Sequence, residues 1–402
     1  MPNYFSPGVY VEEVPPTARP IAGVGTSTAA FLGVVADDVV LPLRPGRTGK
    51  KTDGSIEPKD YYPLAPAGSP QLVTTWDLFR QNFGDPGKGN AILANAVFGF
   101  FNNGGTRCWV QRVAEVGDLT DPDSALATLD AIDEIAIVAI PGAVSKQQHA
   151  ALIAHCSKLQ DRVAVLDGAG AVLDGAVVDT VAVPADIAPA GRSLQASYAA
   201  VYYPWIQVFD QVSGTVAAMP PSGHVAGIYA RTDATRGVFK APANEAIQGA
   251  LDVSVRVSGA QQDGLNPEGI NVLRVMNGPV RVWGARTQAD EGSAEFRYVS
   301  TRRYMNFLRE SVIEGTQWVV FEPNSTSLWQ QITRNVGDFL LGQWRDGALF
   351  GDTPAKAFYV RCDATTNPPD VRELGRVVTE IGVAVVKPAE FVIFRVQQTT
   401  GG

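Results

Sequence analysis

The chain has 402 residues, of which 45% are hydrophobic and 18% charged, and a formal net charge of −8. That length allows about two to four domains, and the composition excludes a disordered polar tail. The acidic balance argues against a nucleic-acid partner. No run approaches the roughly 18 apolar residues of a membrane helix, and the N-terminus lacks the basic-then-apolar pattern of a secretory signal.

The chain opens on an arm. After the Pro7-Gly8 turn, Val9-Tyr-Val-Glu-Glu-Val14 alternates, with Val9 and Val11 on one side and Tyr10 and Val14 on the other, until Pro15-Pro16 ends the strand. Six residues do not make a sheet alone, so this strand needs a partner. Ala29–Val35 predicts a buried strand. Pro42–Pro70 holds six prolines and four glycines and reads as an exposed insertion. Thr74–Phe83 and Ala91–Phe101 predict helices, and Arg107–Val113 a strand.

Ile135–Ile140, Arg162–Leu166, Tyr198–Tyr203 and Ile206–Val208 read as strands, with a helix at Gln147–Leu159. Apolar runs of this kind, separated by helices, predict a parallel sheet covered on both faces. Ser222 is expected to cap a helix reaching Arg236, with Asp233 and Arg236 as a surface ion pair.

In the last third, Leu251–Val257, Ile270–Val275, Val280–Trp283 and Gln317–Phe321 predict strands. Thr301–Glu314, stopped by Gly315, Ser325–Trp344 and Pro369–Ile381 predict helices. The second of these has an apolar stripe of Leu328, Trp329, Ile332, Val336, Phe339, Leu340 and Trp344. Gln330, Gln331, Arg334, Asn335, Asp338 and Arg345 read as its polar face. Phe391-Val-Ile-Phe-Arg-Val396 is strand-like and apolar on both faces, as a strand inside another chain's sheet would be.

No catalytic constellation emerges. Walker, HExxH and GxSxG patterns are absent, and the third glycine position after Gly168-Ala-Gly170 is Leu173. His149 and His155, six apart on one helix, share no face for a metal. Ser222-Gly-His224 is too close in sequence for an unstrained triad pair. Cys108, Cys156 and Cys362 are odd in number and widely spaced, which argues against a disulfide framework or zinc and for a reducing cytoplasm. Catalytic, cofactor and metal sites are therefore expected to be absent.

Several long stretches resemble contractile tail sheath proteins, and in particular those of phage-tail-like injection systems. They are Tyr4–Val14, Phe101–Val110, Pro220–Gly237, Leu265–Asn271, Arg281–Thr287, Gly315–Asn324, Trp344–Phe350 and Cys362–Pro369. The resemblance implies a mixed α/β and α+β fold: a subtilisin-like α/β middle domain plus an α+β C-terminal sheath domain with extended N- and C-terminal arm strands. The spans expected are 1–35 for the arm and first strand, 36–90 for the insertion and linking helix, 91–280 for the middle domain and 281–402 for the C-terminal domain and arm.

It also implies a structural subunit, not an enzyme, that polymerises with itself as hexameric rings around an inner tube protein. Baseplate and cap proteins are the implied partners, with no nucleic acid, and assembly is expected in the bacterial cytoplasm as part of a phage-tail-like particle, with release on lysis and attachment to a membrane both left open. Val9, Tyr10, Val11 and Val14, and Phe391, Ile393, Phe394 and Val396, become the expected inter-subunit strands. Gln331, Arg334, Asn335, Asp338 and Arg345 become the expected tube-facing residues. The alternatives are a minor terminal sheath-related component, or a hydrolase acting through a serine such as Ser222.

Overall fold

The computed structural model describes residues 20–51, 54–114, 123–169, 172–173, 176–177 and 180–393. The expected strand at Val9–Val14, and Phe394 and Val396 of the C-terminal one, lie outside the described residues. The chain divides into two compact units. The larger comprises Val24–Glu310 and Val386–Gly402; the smaller comprises Met1–Gly23 and Ser311–Val385.

The strands of the larger unit are, in chain order, β1 (Ala29–Val34), β2 (Gln71–Val73), β3 (Cys108–Val113), β4 (Ile137–Ala139), β5 (Val163–Asp167), β6 (Val172–Leu173), β7 (Ala176–Val177), β8 (Ala199–Tyr203), β9 (Ile206–Asp210), β10 (Thr215–Met219), β11 (Ala250–Val253), β12 (Ile270–Val275) and β13 (Val280–Val282). Its helices are α1 (Trp76–Phe83), α2 (Ala91–Asn102), α3 (Asp123–Ala127), α4 (Lys146–Leu159), α5 (Pro184–Ile187), α6 (Ser222–Arg236) and α7 (Gly259–Leu265); the unit boundary falls inside α8 (Val299–Thr316).

Eight strands form one sheet in the order β13-β12-β8-β5-β4-β1-β3-β2. From β12 to β3 neighbours run parallel, and β13 and β2 close the edges antiparallel. This is the sheet that the apolar runs predict, and alternation along each strand explains its two cores. Phe31, Val165 and Tyr202 point to one face, where they meet Phe79, Phe83, Val97, Phe100, Val225 and Tyr229 of α1, α2 and α6. Leu32, Leu166 and Val201 point to the other and meet Leu152, Ile153 and Cys156 of α4. Local signals agree with these elements. Thr75 caps α1 by accepting from Leu78 N at 3.2 Å, and Ser145 with Gln148 forms a capping box on α4.

Ile206–Val208 departs from expectation. It belongs to a separate antiparallel sheet, β10-β9-β11. Only Pro204 and Trp205 separate β8 from β9, and a parallel neighbour needs a crossover of about a dozen residues. The turn between β12 and β13 is Asn277-Gly278, both at positive φ (52° and 106°), the geometry of a tight two-residue hairpin. Pro42–Pro70 is also more structured than expected. Among its described residues, backbone bridges pair Leu43 with Tyr61 and Lys50 with Ile56, and the buried Asp60 accepts from Gly49 N at 3.1 Å.

The described part of the smaller unit contains α9 (Thr326–Arg345), α10 (Pro354–Ala357), β14 (Phe358–Arg361), α11 (Pro369–Glu373) and β15 (Glu380–Val383). Three expectations fail here. Gly315 does not stop α8, which continues to Thr316; a Cβ at 315 would stand 2.6 Å from Ile21 Cγ1, so this glycine answers a close approach. Gln317–Phe321 is a 3-10 turn followed by Phe321 at φ 70°, not a strand. The helix expected over Pro369–Ile381 ends at Glu373, because Gly375 adopts φ 68° and the chain then extends into β15.

Candidate assembly surfaces

The most recognisable stretch, Pro220–Gly237, forms α6, and its groups serve packing. Ser222 does not cap the helix; Pro221 occupies that position. The Ser222 hydroxyl, fully buried, donates to Asp167 Oδ2 at 2.7 Å, and its backbone N–H donates to Oδ1 at 2.8 Å. Gly142 N–H completes the carboxylate's shell at 2.9 Å. Burial pushes Asp167 up to about 6 against these three donors. A serine held this way faces neither solvent nor a histidine base, which removes the geometric basis for a hydrolase at Ser222.

His224 is buried against Gly99, and a Cβ at Gly99 would overlap its ring. Burial lowers His224 to about 4. His149 is buried as well, its Nε2 facing the carbonyls of Ala143 and Asp167 at 3.1 Å each. His155 lies 3.3 Å from Asp130, and burial, then Arg162, lowers it to about 4. Among the described residues no group of three metal-ligating side chains forms. The expected Asp233–Arg236 pair is also corrected. Asp233 binds Arg303 of α8 at 2.6 Å, both buried, and accepts from Thr26 Oγ1 at 2.6 Å.

In the smaller unit the main feature is an incomplete sheet. β14 and β15 pair antiparallel, Phe358 with Val383 through Arg361 with Glu380, and among the described residues each has a strand on one side only. Tyr359 and Ile381 stand exposed on these strands, and Val320, Phe321, Phe350 and Leu374 are exposed elsewhere in the unit. A short sheet with open edges and uncovered apolar side chains is a template for added strands.

Helix α9 packs beside β14. Ser325 caps it, and Leu328, Trp329, Ile332, Val336, Phe339 and Leu340 are buried, as the stripe predicts. Arg334, Asp338 and Arg345 are exposed and Gln331 is half-buried. Asn335 is a correction: it is 5% exposed. It lies seven residues after Leu328, three after Ile332 and four before Phe339, so it falls within the buried stripe. Gln330, Thr333 and Arg334 line a groove of ≈ 540 Å³ with Tyr359–Asp363.

The chain re-enters the larger unit at Val386. Val386–Val392 forms one wall of a groove of ≈ 770 Å³ whose other residues include Phe239, Trp283 and Tyr298. Phe391 and Ile393 are 71% and 79% exposed and are not in a strand here. Glu390, just before them, accepts from Arg286 Nε and Nη2 at 2.8 Å each, from Tyr298 Oη at 2.8 Å and from Asn266 Nδ2 at 2.9 Å. Burial opposes its charge, yet Arg286, Asn266 and Tyr298 outweigh that and hold its carboxyl below the usual glutamate range. The sequence reading missed this cluster because its members lie up to 124 residues apart.

Two family models match the chain, and their boundary lies before α8 rather than inside it. The phage tail sheath protein central domain matches residues 118–288, and the phage tail sheath C-terminal domain matches residues 291–399. The tail sheath protein of Burkholderia phage BcepMu is 27% identical over 206 residues, 49% of this chain and 42% of that protein. The chain thus spans about half the length, or less, of the curated relatives it matches.

Two solved structures are similar over almost all of both chains. The sheath complex of an extracellular contractile injection system, PVC, in its contracted state gives a TM-score of 0.74 at 25% identity, covering 99% of each chain. The contracted helical sheath of the anti-feeding prophage gives 0.73 at 29% identity, covering 98% of this chain and 99% of that one.

Proposed function

Since the chain belongs to the phage tail sheath family, we propose that it is the structural subunit of a contractile sheath, polymerising with itself around an inner tube and contracting to drive that tube through a target envelope. The observation that carries this reading is the β14–β15 sheet, in which, among the described residues, each strand has a partner strand on one side only. In this reading the arms of neighbouring copies, Val9–Val14 and Phe391–Val396, add strands to it. Each added backbone hydrogen bond is worth about 0.5–1.5 kcal/mol net, and a fully covered Val or Phe side chain about 1.5–3 kcal/mol. Head-to-tail contacts that do not close generate rings and helical filaments.

The tube partner meets the polar line of α9, with Arg334, Asp338 and Arg345 as contacts, Gln331 at its margin and Asn335 excluded by burial. A baseplate and a cap end the polymer. Assembly takes place in the bacterial cytoplasm; among the described residues no helix is long and apolar enough to cross a membrane. Production of the chain together with its tube protein, followed by negative-stain electron microscopy, tests the reading. Tubes clad in striated sheath support it, and bare tubes beside soluble chain overturn it.

A further inference from the structure

Resting on the sheath reading above, we propose that Glu390 is the root of the C-terminal donor segment, a fixed point that carries load from a donated strand into the eight-stranded sheet. The chain lines the groove from Val386 to Val392, and from Phe391 onward three apolar side chains are largely open to solvent: Phe391, Val392 and Ile393, at 71%, 68% and 79%. Immediately before these three stands Glu390, held by four hydrogen bonds from three side chains. A charged, bidentate Arg–carboxylate pair holds a side chain about twice as strongly per hydrogen bond as neutral groups do, and two further donors support it here.

The clamp is tied to the core. Arg286 donates from Nη1 to Asn266 O at 3.0 Å, and its backbone N–H donates to Asn271 Oδ1 at 2.7 Å. Asn271 sits fully buried on β12 and donates from Nδ2 to Val201 O of β8 at 3.1 Å. Tension on the segment beyond Phe391 therefore passes through Glu390, Arg286 and Asn271 to the central strands. Without the clamp, the same pull would reach Val385, which bridges Leu349, and then β15. From that end β15 would peel from β14 one hydrogen bond at a time, and the acceptor sheet of the subunit would be lost with it. Glu390 is thus a positioning residue that sets where the donated strand begins and spares β14–β15 from its load.

The test uses the full chain with Glu390→Ala, and with the exchanged pair Arg286→Glu and Glu390→Arg. Hydrogen exchange of the unassembled protein reads the clamp directly. Glu390→Ala should speed exchange of the hydrogen-bonded amides that flank Arg286 and Tyr298, Thr287 N (to Arg297 O) and Val299 N (to Ala285 O), by about tenfold or more, with β1 to β5 unchanged; the exchanged pair should recover part of that protection. Unchanged exchange in Glu390→Ala overturns the clamp. Shear of assembled sheath reads the load, and Glu390→Ala sheaths should break into shorter pieces than wild type. Equal survival overturns the transfer of load through Glu390. Failure of the wild-type chain to form any sheath overturns the sheath reading, while the exchange result still decides the clamp.

Discussion

Gly223 and Gly227 allow α6 to cross α2 at backbone contact. A Cβ on either would collide with main-chain atoms, the carbonyl of Ala96 or of Phe100. Gly223→Ala and Gly227→Ala are expected to destabilise the larger unit by about 1–3 kcal/mol or more each, read by denaturant unfolding. Asp233→Ala would strand the buried Arg303 guanidinium, whose remaining contacts are Thr26 O at 2.9 Å and the Tyr229 ring at 4.6 Å. Its expected loss is about 3 kcal/mol, the low end for breaking a buried pair. His224 links stability to pH. Its folded value lies near 4, below its unfolded value near 6.5, so the unfolded chain binds the extra proton between them. Stability contributed by neutral His224 is present above pH 6.5 and lost as pH falls toward 4, about 2 kcal/mol of it between pH 7 and 5. Unfolding at the two pH values in wild type and His224→Asn checks this, and the variant should show the smaller drop. At this scale the sequence was partly legible. It placed the helices at Gln147–Leu159 and up to Arg236, but it assigned Ser222 to a cap and Asp233 to a surface pair. Their partners, Asp167 and Arg303, lie 55 and 70 residues away, beyond any local rule.

Helix α9 and the β14–β15 sheet are the elements on which assembly turns in our reading. Exposed ion pairs are worth about 1 kcal/mol or less, a suitable scale for a tube contact that must break on contraction. Arg334→Glu with Arg345→Glu is expected to leave a folded protein, because both side chains are exposed, and to shift particles toward tube-free sheath. Counting tube-filled against empty sheaths by electron microscopy decides it. Elements with strong periodicity were legible: β12 has the bounds that Ile270–Val275 predicts, and α9 extends the predicted Ser325–Trp344 helix by one residue at its end. Asn335 was misplaced because its own polarity outweighed its position between Ile332 and Phe339. The helix expected over Pro369–Ile381 failed because a glycine at positive φ, two residues after Glu373, overrode a plausible apolar spacing. The Asn277-Gly278 hairpin was a strong signal that went unused.

At the scale of the whole molecule, the parallel sheet and its covering helices are complete within the larger unit, and in our reading the β14–β15 sheet is the one that strands from other copies extend. Apolar runs in sequence sufficed to expect the parallel sheet and its two covered faces. The three-stranded β10-β9-β11 sheet was not legible, since its strands resemble those of the main sheet and only the short link after Tyr203 separates them. The central claim is that copies join by exchanging strands, and Val11→Pro tests it most directly, because proline removes a ladder donor from an arm that precedes both compact folds' described residues. The measurement is sheath length by negative-stain electron microscopy, with wild-type and Val11→Pro chains each produced beside the tube protein. The account predicts long sheaths from wild type, and from Val11→Pro a soluble chain with unchanged thermal unfolding and no long sheaths. Full-length, contractile sheaths built from Val11→Pro would contradict it.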